Sequence, residues 1–141
     1  MTSFFATDAR VIPPDRDTYQ PGVCNIGPVE IARRERVAHV GLAVTVATLA
    51  LLIAIDAPSW LRLGAAVPAM VSASGYLQAR MRFCAGYGRL GMSNFGDSHA
   101  DATRVVDDGA RAADRRKARQ ISSLSLLIGL AVGVTGWLLP V

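Results

Sequence analysis

Apolar positions in this chain gather into three blocks, residues 37–55, 63–77 and 121–141, and charged and polar residues fill the stretches between them. Segregation on this scale suits a chain that crosses a bilayer, whereas a globule spreads its apolar positions along amphipathic elements. The pattern predicts an all-α membrane protein with three transmembrane helices, a helical hairpin followed by a C-terminal span.

The first span, 37–55, has 19 residues and no formal charge. At 1.5 Å per residue it covers about 28 Å, close to the ~30 Å hydrocarbon core. Asp56 and Pro58 stop it, and Trp60 follows as an interfacial anchor. The second span, 60–77, is charge-free only over 63–77 and completes a crossing only if Arg62 snorkels outward to the headgroups. It holds Pro68 in its middle and many small residues, Gly64, Ala69 and Ala73 among them. The third span, 121–141, carries Gly129 and Gly133 as a GxxxG pair, and Gly136 continues roughly the same face. Small residues let helices approach closely in lipid, so these six positions are the expected helix-packing contacts.

Lys and Arg are distributed unevenly. Five precede the first span, nine lie between the second and third, Arg62 alone lies in the hairpin connection, and none follows the third. Fourteen against one is a strong positive-inside signal, which puts the N-terminus and the long loop in the cytoplasm and the C-terminus outside. A bacterial inner membrane is the expected location. Arg33, Arg34 and Arg36 before the first span, and Arg115, Arg116, Lys117 and Arg119 before the third, are the expected contacts to anionic lipid headgroups. Residues 1–20 contain Asp8, Arg10, Asp15, Arg16 and Asp17 and no apolar run, so a cleavable signal is not expected.

The polar stretches read differently from one another. Residues 1–29 form an extended cytoplasmic segment, because Pro13-Pro14, Pro21-Gly22 and Gly27-Pro28 interrupt any helix. Such a segment has no core of its own and needs a neighbouring subunit or the chain's own cytoplasmic face to hold it. Pro28-Val29-Glu30 reads as a helix start. Residues 95–120 read as a basic cytoplasmic helix, capped at Asp97-Ser98, with acids early and Arg and Lys late.

Composition agrees with membrane residence: 51% of residues are hydrophobic, 18% are charged, and the mean hydropathy is +0.31, against about 25% charged in a typical soluble domain. A net charge of +4 raises the question of nucleic acid, but aromatic residues are 6% and no basic-aromatic motif is present. The positive charge is instead assigned to cytoplasmic loops and anionic lipid.

Candidate chemistry is sparse. Cys24 and Cys84 both fall near the predicted cytoplasmic boundary, where the hairpin can bring them together. A thiol pair there handles sulfane sulfur, binds a soft metal, forms a disulfide, or stays as two reduced structural thiols. Two ligands make no complete metal site. His39 lies in the first turn of the first span. A membrane histidine can ligate haem or a chlorophyll magnesium, but one histidine without a partner is read first as an interfacial polar residue. No metal or cofactor is therefore expected beyond bound lipid. No span carries an ionisable residue at mid-membrane, which argues against transport by this chain alone. Asp107 and Asp108 are adjacent, so on a helix they diverge instead of converging. No small-molecule substrate is evident.

Two stretches flank the predicted hairpin. One is Cys24-Asn25-Ile26-Gly27-Pro28-Val29-Glu30 with Arg33 and Arg34. The other is Phe83-Cys84-Ala85-Gly86-Tyr87-Gly88-Arg89-Leu90-Gly91-Met92-Ser93-Asn94. Together they resemble the YgaP-like inner-membrane domain family (DUF2892) over about residues 24–94. Asn25, Gly27, Phe83, Cys84, Tyr87 and Gly91 fall where that family has its motif residues, and Ala85 stands where it usually has proline. The resemblance implies a two-helix membrane hairpin over 30–94 and no secure activity.

The expected role is thus a non-catalytic accessory subunit of a larger energy-transducing membrane complex, respiratory or photosynthetic, with other membrane subunits and anionic lipids as partners. Two alternatives stand beside it. One is a thiol or sulfur-handling protein using Cys24 and Cys84, and the other is a scaffold that self-associates through Gly129 and Gly133.

Overall fold

The computed structural model describes residues 18–140. The chain is mostly helical, in the order α1 (Pro28–Ala54), a 3₁₀ helix (Ser59–Ala65), α2 (Ala66–Arg80), α3 (Ala85–Leu90), β1 (Met92–Ser93), a 3₁₀ turn (His99–Asp101), β2 (Thr103–Arg104) and α4 (Asp108–Leu138). Two helices, α1 and α4, are long and apolar enough to cross a membrane. Pro28 opens α1, where its missing N–H costs nothing, and Glu30 follows at the positive end of the helix dipole. The helix stops at Ala54, after which Asp56 adopts a φ of 50° and Pro58 bars further winding.

The second predicted span has a different build from the one expected. Residues 59–65 wind as a 3₁₀ helix, and α2 proper begins at Ala66 and runs on to Arg80. Pro68 therefore sits in the first turn of α2 and not in its middle, which is where a fixed φ and a missing N–H are tolerated. Arg62 does not snorkel. It is 3% exposed, and its Nη1 donates to the carbonyl oxygen of Leu139 at 3.2 Å. The last carbonyls of α4 have no partner within their helix and form its negative pole, so a guanidinium satisfies them there.

Residues 95–120 are not one helix. Ser98 and Asp101 form a capping box, but it closes only the turn His99–Asp101. The chain then returns antiparallel along itself, pairing Met92 with Arg104 and Ser93 with Thr103. A Cβ at Gly96 would lie 2.3 Å from that of Asp101, so this segment is folded too tightly to start a helix. The start is Asp108, where Asp107 Oδ2 accepts from the amide of Ala110 at 2.6 Å. From there α4 is continuous to Leu138, so the basic segment and the third predicted span are one rod. The β1–β2 ribbon is the one sheet among the described residues of an otherwise helical fold. Of the predicted extended segment, residues 1–17 lie outside the described part. Residues 18–27 form a turn with an antiparallel bridge between Gln20 and Cys24 and a parallel bridge from Ile26 to Asn94.

The helices form one layer with α2 in the middle, packed against α1 on one side and α4 on the other. Small residues set the approach. A Cβ at Gly75 would lie 2.7 Å from the carbonyl oxygen of Arg34 on α1, and one at Gly129 would lie 2.7 Å from that of Ala66 on α2. Gly41 meets the backbone of Ser72 in the same way. Ser72 Oγ donates across the α1–α2 seam to the carbonyl of Ala38 at 2.8 Å, a bond type that ties helices in lipid. On α4 the buried positions, from Ala110 through Ala118, Ser125 and Gly129 to Gly136, recur every three or four residues. Away from these seams Val40, Val46, Leu51, Leu127 and Leu138 are 59–67% exposed. In water that belt would be an aggregation surface, and in a bilayer it faces lipid. A small core of Phe83, Ala85, Ala118 and Ile121 closes one end of the layer, backed by Leu77 and Met81.

Candidate functional site

At that end the connections fold into a polar head built around three buried residues: Asn25, Asn94 and Glu30. Asn25 bonds the backbone of Cys84 twice. Its Oδ1 accepts from the Cys84 amide at 2.7 Å, and its Nδ2 donates to the Cys84 carbonyl at 3.1 Å. Its own carbonyl accepts from the amide of Asn94, and the amide of Gly27 donates to the Asn94 carbonyl. Side-chain Asn94 donates to the Ser98 carbonyl at 3.0 Å and to Tyr87 Oη at 3.3 Å. The two motif stretches of the sequence are thus one bracket, which joins the lead-in to α1 with the turn after α2. Gly91 closes α3 with a φ of +66°, a conformation that favours glycine, and Phe83 fills the core beneath.

Glu30 is sealed from solvent and faced by two guanidinium groups and an imidazole. Arg33 Nη1 lies 2.5 Å from Oε1, Arg34 Nη2 lies 3.3 Å from Oε2, and His99 Nδ1 lies 3.3 Å from Oε1. Arg33 also donates to the carbonyl of Asp97 at 2.8 Å, and Tyr87 Oη is 2.9 Å from His99 Nδ1. Two of the arginines expected at lipid headgroups, Arg33 and Arg34, are therefore turned inward to a buried carboxylate. Burial of Glu30 demands those partners, since an unpaired charge there would be very costly. Arg36, Arg115, Arg116 and Arg119 remain on the outside, and Lys117 is half-buried.

Asp114, a second fully buried carboxylate, was not legible in the sequence as a site residue. It holds the start of the described chain to α4: Tyr19 Oη donates to Oδ2 at 2.7 Å, and the amide of Gly22 donates to Oδ1 at 2.7 Å. The Tyr19 phenol is held well above its ordinary value, first by burial and then by that hydrogen bond to an acid. The described part of that segment, residues 18–27, is held by this chain's own head.

Cys24 and Cys84 are both buried, and neither is in a disulfide. The Cys24 thiol donates to the carbonyl of Ile26 at 3.7 Å. The Cys84 sulfur accepts from Arg34 Nη2 at 3.2 Å and lines a cavity of about 460 Å³ together with Arg34, Tyr87, Arg89, His99 and Ser122. Arg89 reaches across it to donate to Ser122 Oγ on α4. No family model matches this chain, and neither a curated protein nor a solved structure matches it.

The remaining expected positions separate. Gly129, Gly133 and Gly136 are buried against α2, the 3₁₀ helix and Leu49 of α1, so the GxxxG face is used within the chain. Ala69 and Ala73 are buried on α2. Gly64 is not a packing contact: a Cβ there would meet nothing within 4 Å. It faces outward because it lies in the 3₁₀ helix, before α2 takes up its buried stripe. His39 bonds the carbonyl of Glu35 through Nδ1 at 2.7 Å, and its ring stands edge-on to Tyr76 with centroids 5.3 Å apart. Among the described residues no group of three or more His, Cys, Asp or Glu is arranged to hold a metal ion. Gly75 belongs to the small residues that the sequence reading counted in the second span, whereas Gly41 was passed over, since a lone glycine in an apolar helix carries no partner's address.

Proposed function

We propose that this chain is a three-span protein of the bacterial inner membrane, with the polar head in the cytoplasm and the C-terminus outside, and that it serves as a non-catalytic subunit of a larger membrane assembly. An energy-transducing complex is the class of host that collects small helical subunits of this kind. The distribution of Lys and Arg supports the orientation. The 3₁₀ helix and α2 together supply the middle span. The resemblance to the YgaP-like hairpin family fits the same plan, with α4 added after it.

One observation carries the assembly role. α2 is rich in small residues, yet among the described residues it has a helix at each side and none on either face. On one of those faces lies a groove of about 520 Å³, uncharged, lined by Leu42, Val46, Ala69, Ala73, Tyr76 and Ile128. An open face of small and apolar residues is what a transmembrane helix of another subunit packs into. The test is purification of the tagged full chain from native membranes beside a Val46→Trp variant, which fills the groove from an exposed position. Membrane subunits should accompany the parent protein in fixed ratio and be lost from the variant. A chain that runs alone and stable sinks the idea.

A second reading has a specific observation behind it: the Cys84 thiol at a cavity wall under the Arg34 guanidinium. A thiol-handling protein would lose its activity on Cys84→Ser. The assembly reading expects that near-isosteric change to leave the co-purifying subunits in place.

A further inference from the structure

Three cavities run into one another on the face of the helix layer opposite the uncharged groove. The first is the polar cavity at Cys84. It shares Arg34, Ser74, Gln78 and Ser122 with a second, of about 320 Å³, that continues over Met70 and Val71. The second shares Val37 and Val71 with a third, of about 640 Å³, which follows Val40, Val44 and Thr48 of α1 against Val67 and Gly64. The result is one cleft with a polar mouth and an apolar trough.

Its depth and charge both select an occupant. The mouth lies where all three long helices change from polar to apolar sequence, just before Val37, just after Leu77 and at Ile121, which is the headgroup level of a bilayer. From Val37 to Thr48 the trough descends about 16 Å, close to half of the ~30 Å hydrocarbon core, the depth of one leaflet. Arg34 and Arg89 line the mouth with His99, Arg36 lines the top of the trough, and among the described residues no carboxylate lines any of the three cavities. Glu30, behind the wall, is already paired with both Arg33 and Arg34, so those two arginines leave a net positive charge. At Gly64 the trough is open because no atom lies where a side chain would begin.

We propose that this cleft binds one anionic phospholipid. Its phosphate is held at the mouth by Arg34 and Arg89, and one acyl chain lies along the trough over Val71 toward Gly64. Arginine suits a phosphate because its planar fork donates two parallel bonds to it. A transmembrane helix from another subunit fits less well, because the trough is capped by arginines and spans one leaflet only. The proposal rests on the bilayer placement given above and not on the assembly role. A lone chain that keeps its lipid would sink the latter and leave this inference standing.

The test is native mass spectrometry of the full chain in mild detergent, titrated with phosphatidylglycerol, with phosphatidylcholine and with inorganic phosphate. One phosphatidylglycerol should be retained per chain, with a preference over phosphatidylcholine of roughly tenfold, because both lipids carry the phosphate but the choline ammonium is repelled by the arginines at the mouth. Excess inorganic phosphate should not displace it. Arg89→Gln, at an exposed residue outside the Glu30 cluster, should remove most of that preference. Val71→Phe should weaken retention of both lipids by filling the trough. Each variant is compared at an unchanged unfolding midpoint, and Gly64→Leu plugs the far end should Val71→Phe not fold. Equal retention of the two lipids, displacement by phosphate alone, or parent-like selectivity in Arg89→Gln would each overturn the proposal.

Discussion

Arg62 donates through Nη1 to the carbonyl oxygen of Leu139 at 3.2 Å, which ties the hairpin connection to the end of the last helix. Among the described residues Arg62 is the one basic residue at that end of the helices, and it ties the 3₁₀ helix to α4. Arg62→Gln removes a buried charge-assisted bond of about 1.5–3 kcal/mol. Unfolding of the purified chain with SDS should shift to lower detergent fraction by a matching amount, and Arg62→Lys should recover part of the loss. An unshifted transition would mean that the bond carries no weight.

Two glycines on the seams and one in the open make a sharp contrast. Gly75→Ala and Gly129→Ala each place a methyl group 2.7 Å from a carbonyl oxygen on the neighbouring helix. Backbone cannot step aside as a flexible side chain does, so each should cost about 1–3 kcal/mol. Gly64→Ala meets nothing and should stay within about 0.5 kcal/mol of the parent. Parallel unfolding curves of the three variants check the ranking.

The tether between Tyr19 and Asp114 has a definite pH dependence. The folded chain holds the phenol neutral above its ordinary value, so the contribution is complete below pH ~10 and fades as pH rises toward the raised value. Amide exchange at Gly22, whose N–H is held by the same carboxylate, should be flat through neutral pH and accelerate in strong alkali. Tyr19→Phe should lose about 1 kcal/mol of protection at neutral pH and flatten the alkaline rise. An alkaline response of equal size in the Phe variant would show that another group governs it.

Glu30 and Asp108 are both acids paired with an arginine, and they should behave differently. Removing the charge of Glu30 leaves Arg33 and Arg34 facing a buried amide, at a cost of about 3 kcal/mol. Asp108 lies on the surface, its carboxyl held below the usual range by a hydrogen bond from Arg111 and by that residue's charge. Asp108→Asn should leave the unfolding transition where it is, because solvent screens such pairs. Equal effects from Glu30→Gln and Asp108→Asn would contradict the burial argument.

Orientation has a direct check. A reporter active only in the cytoplasm should be silent when fused after Val141 and active when fused before Met1. The reverse pattern would invert the topology proposed from the Lys and Arg count.

Several elements were legible in advance for physical reasons. Long uncharged runs have no polar solution in lipid other than a helix, so α1 and the apolar half of α4 could be read from hydropathy. Pro28 and Glu30 marked the start of α1 because proline and an acid both suit a helix N-terminus. The middle helix was harder. Its charge-free stretch is short, and whether residues 59–65 wind as 3₁₀ or α depends on what they pack against. The start of α4 was misplaced because Ser98 and Asp107 are equally good caps in isolation. The Gly96 turn and the pairing of β2 with β1 decide between them.

The candidate site divides along the same line. The sequence by itself determined the apolar belts, the side on which positive charge collects, and the small-residue content that permits close helix contact, since these follow from composition and spacing. Only the tertiary structure decided where each charge ends. It turned Arg33 and Arg34 onto Glu30, set Arg62 on the carboxyl end of α4, and buried Asp114 as the tie for Tyr19. It also laid α2 between its neighbours with both faces open. Pairing a buried charge requires partners from segments far apart in the chain, and the desolvation cost that selects those partners exists only once the segments have packed.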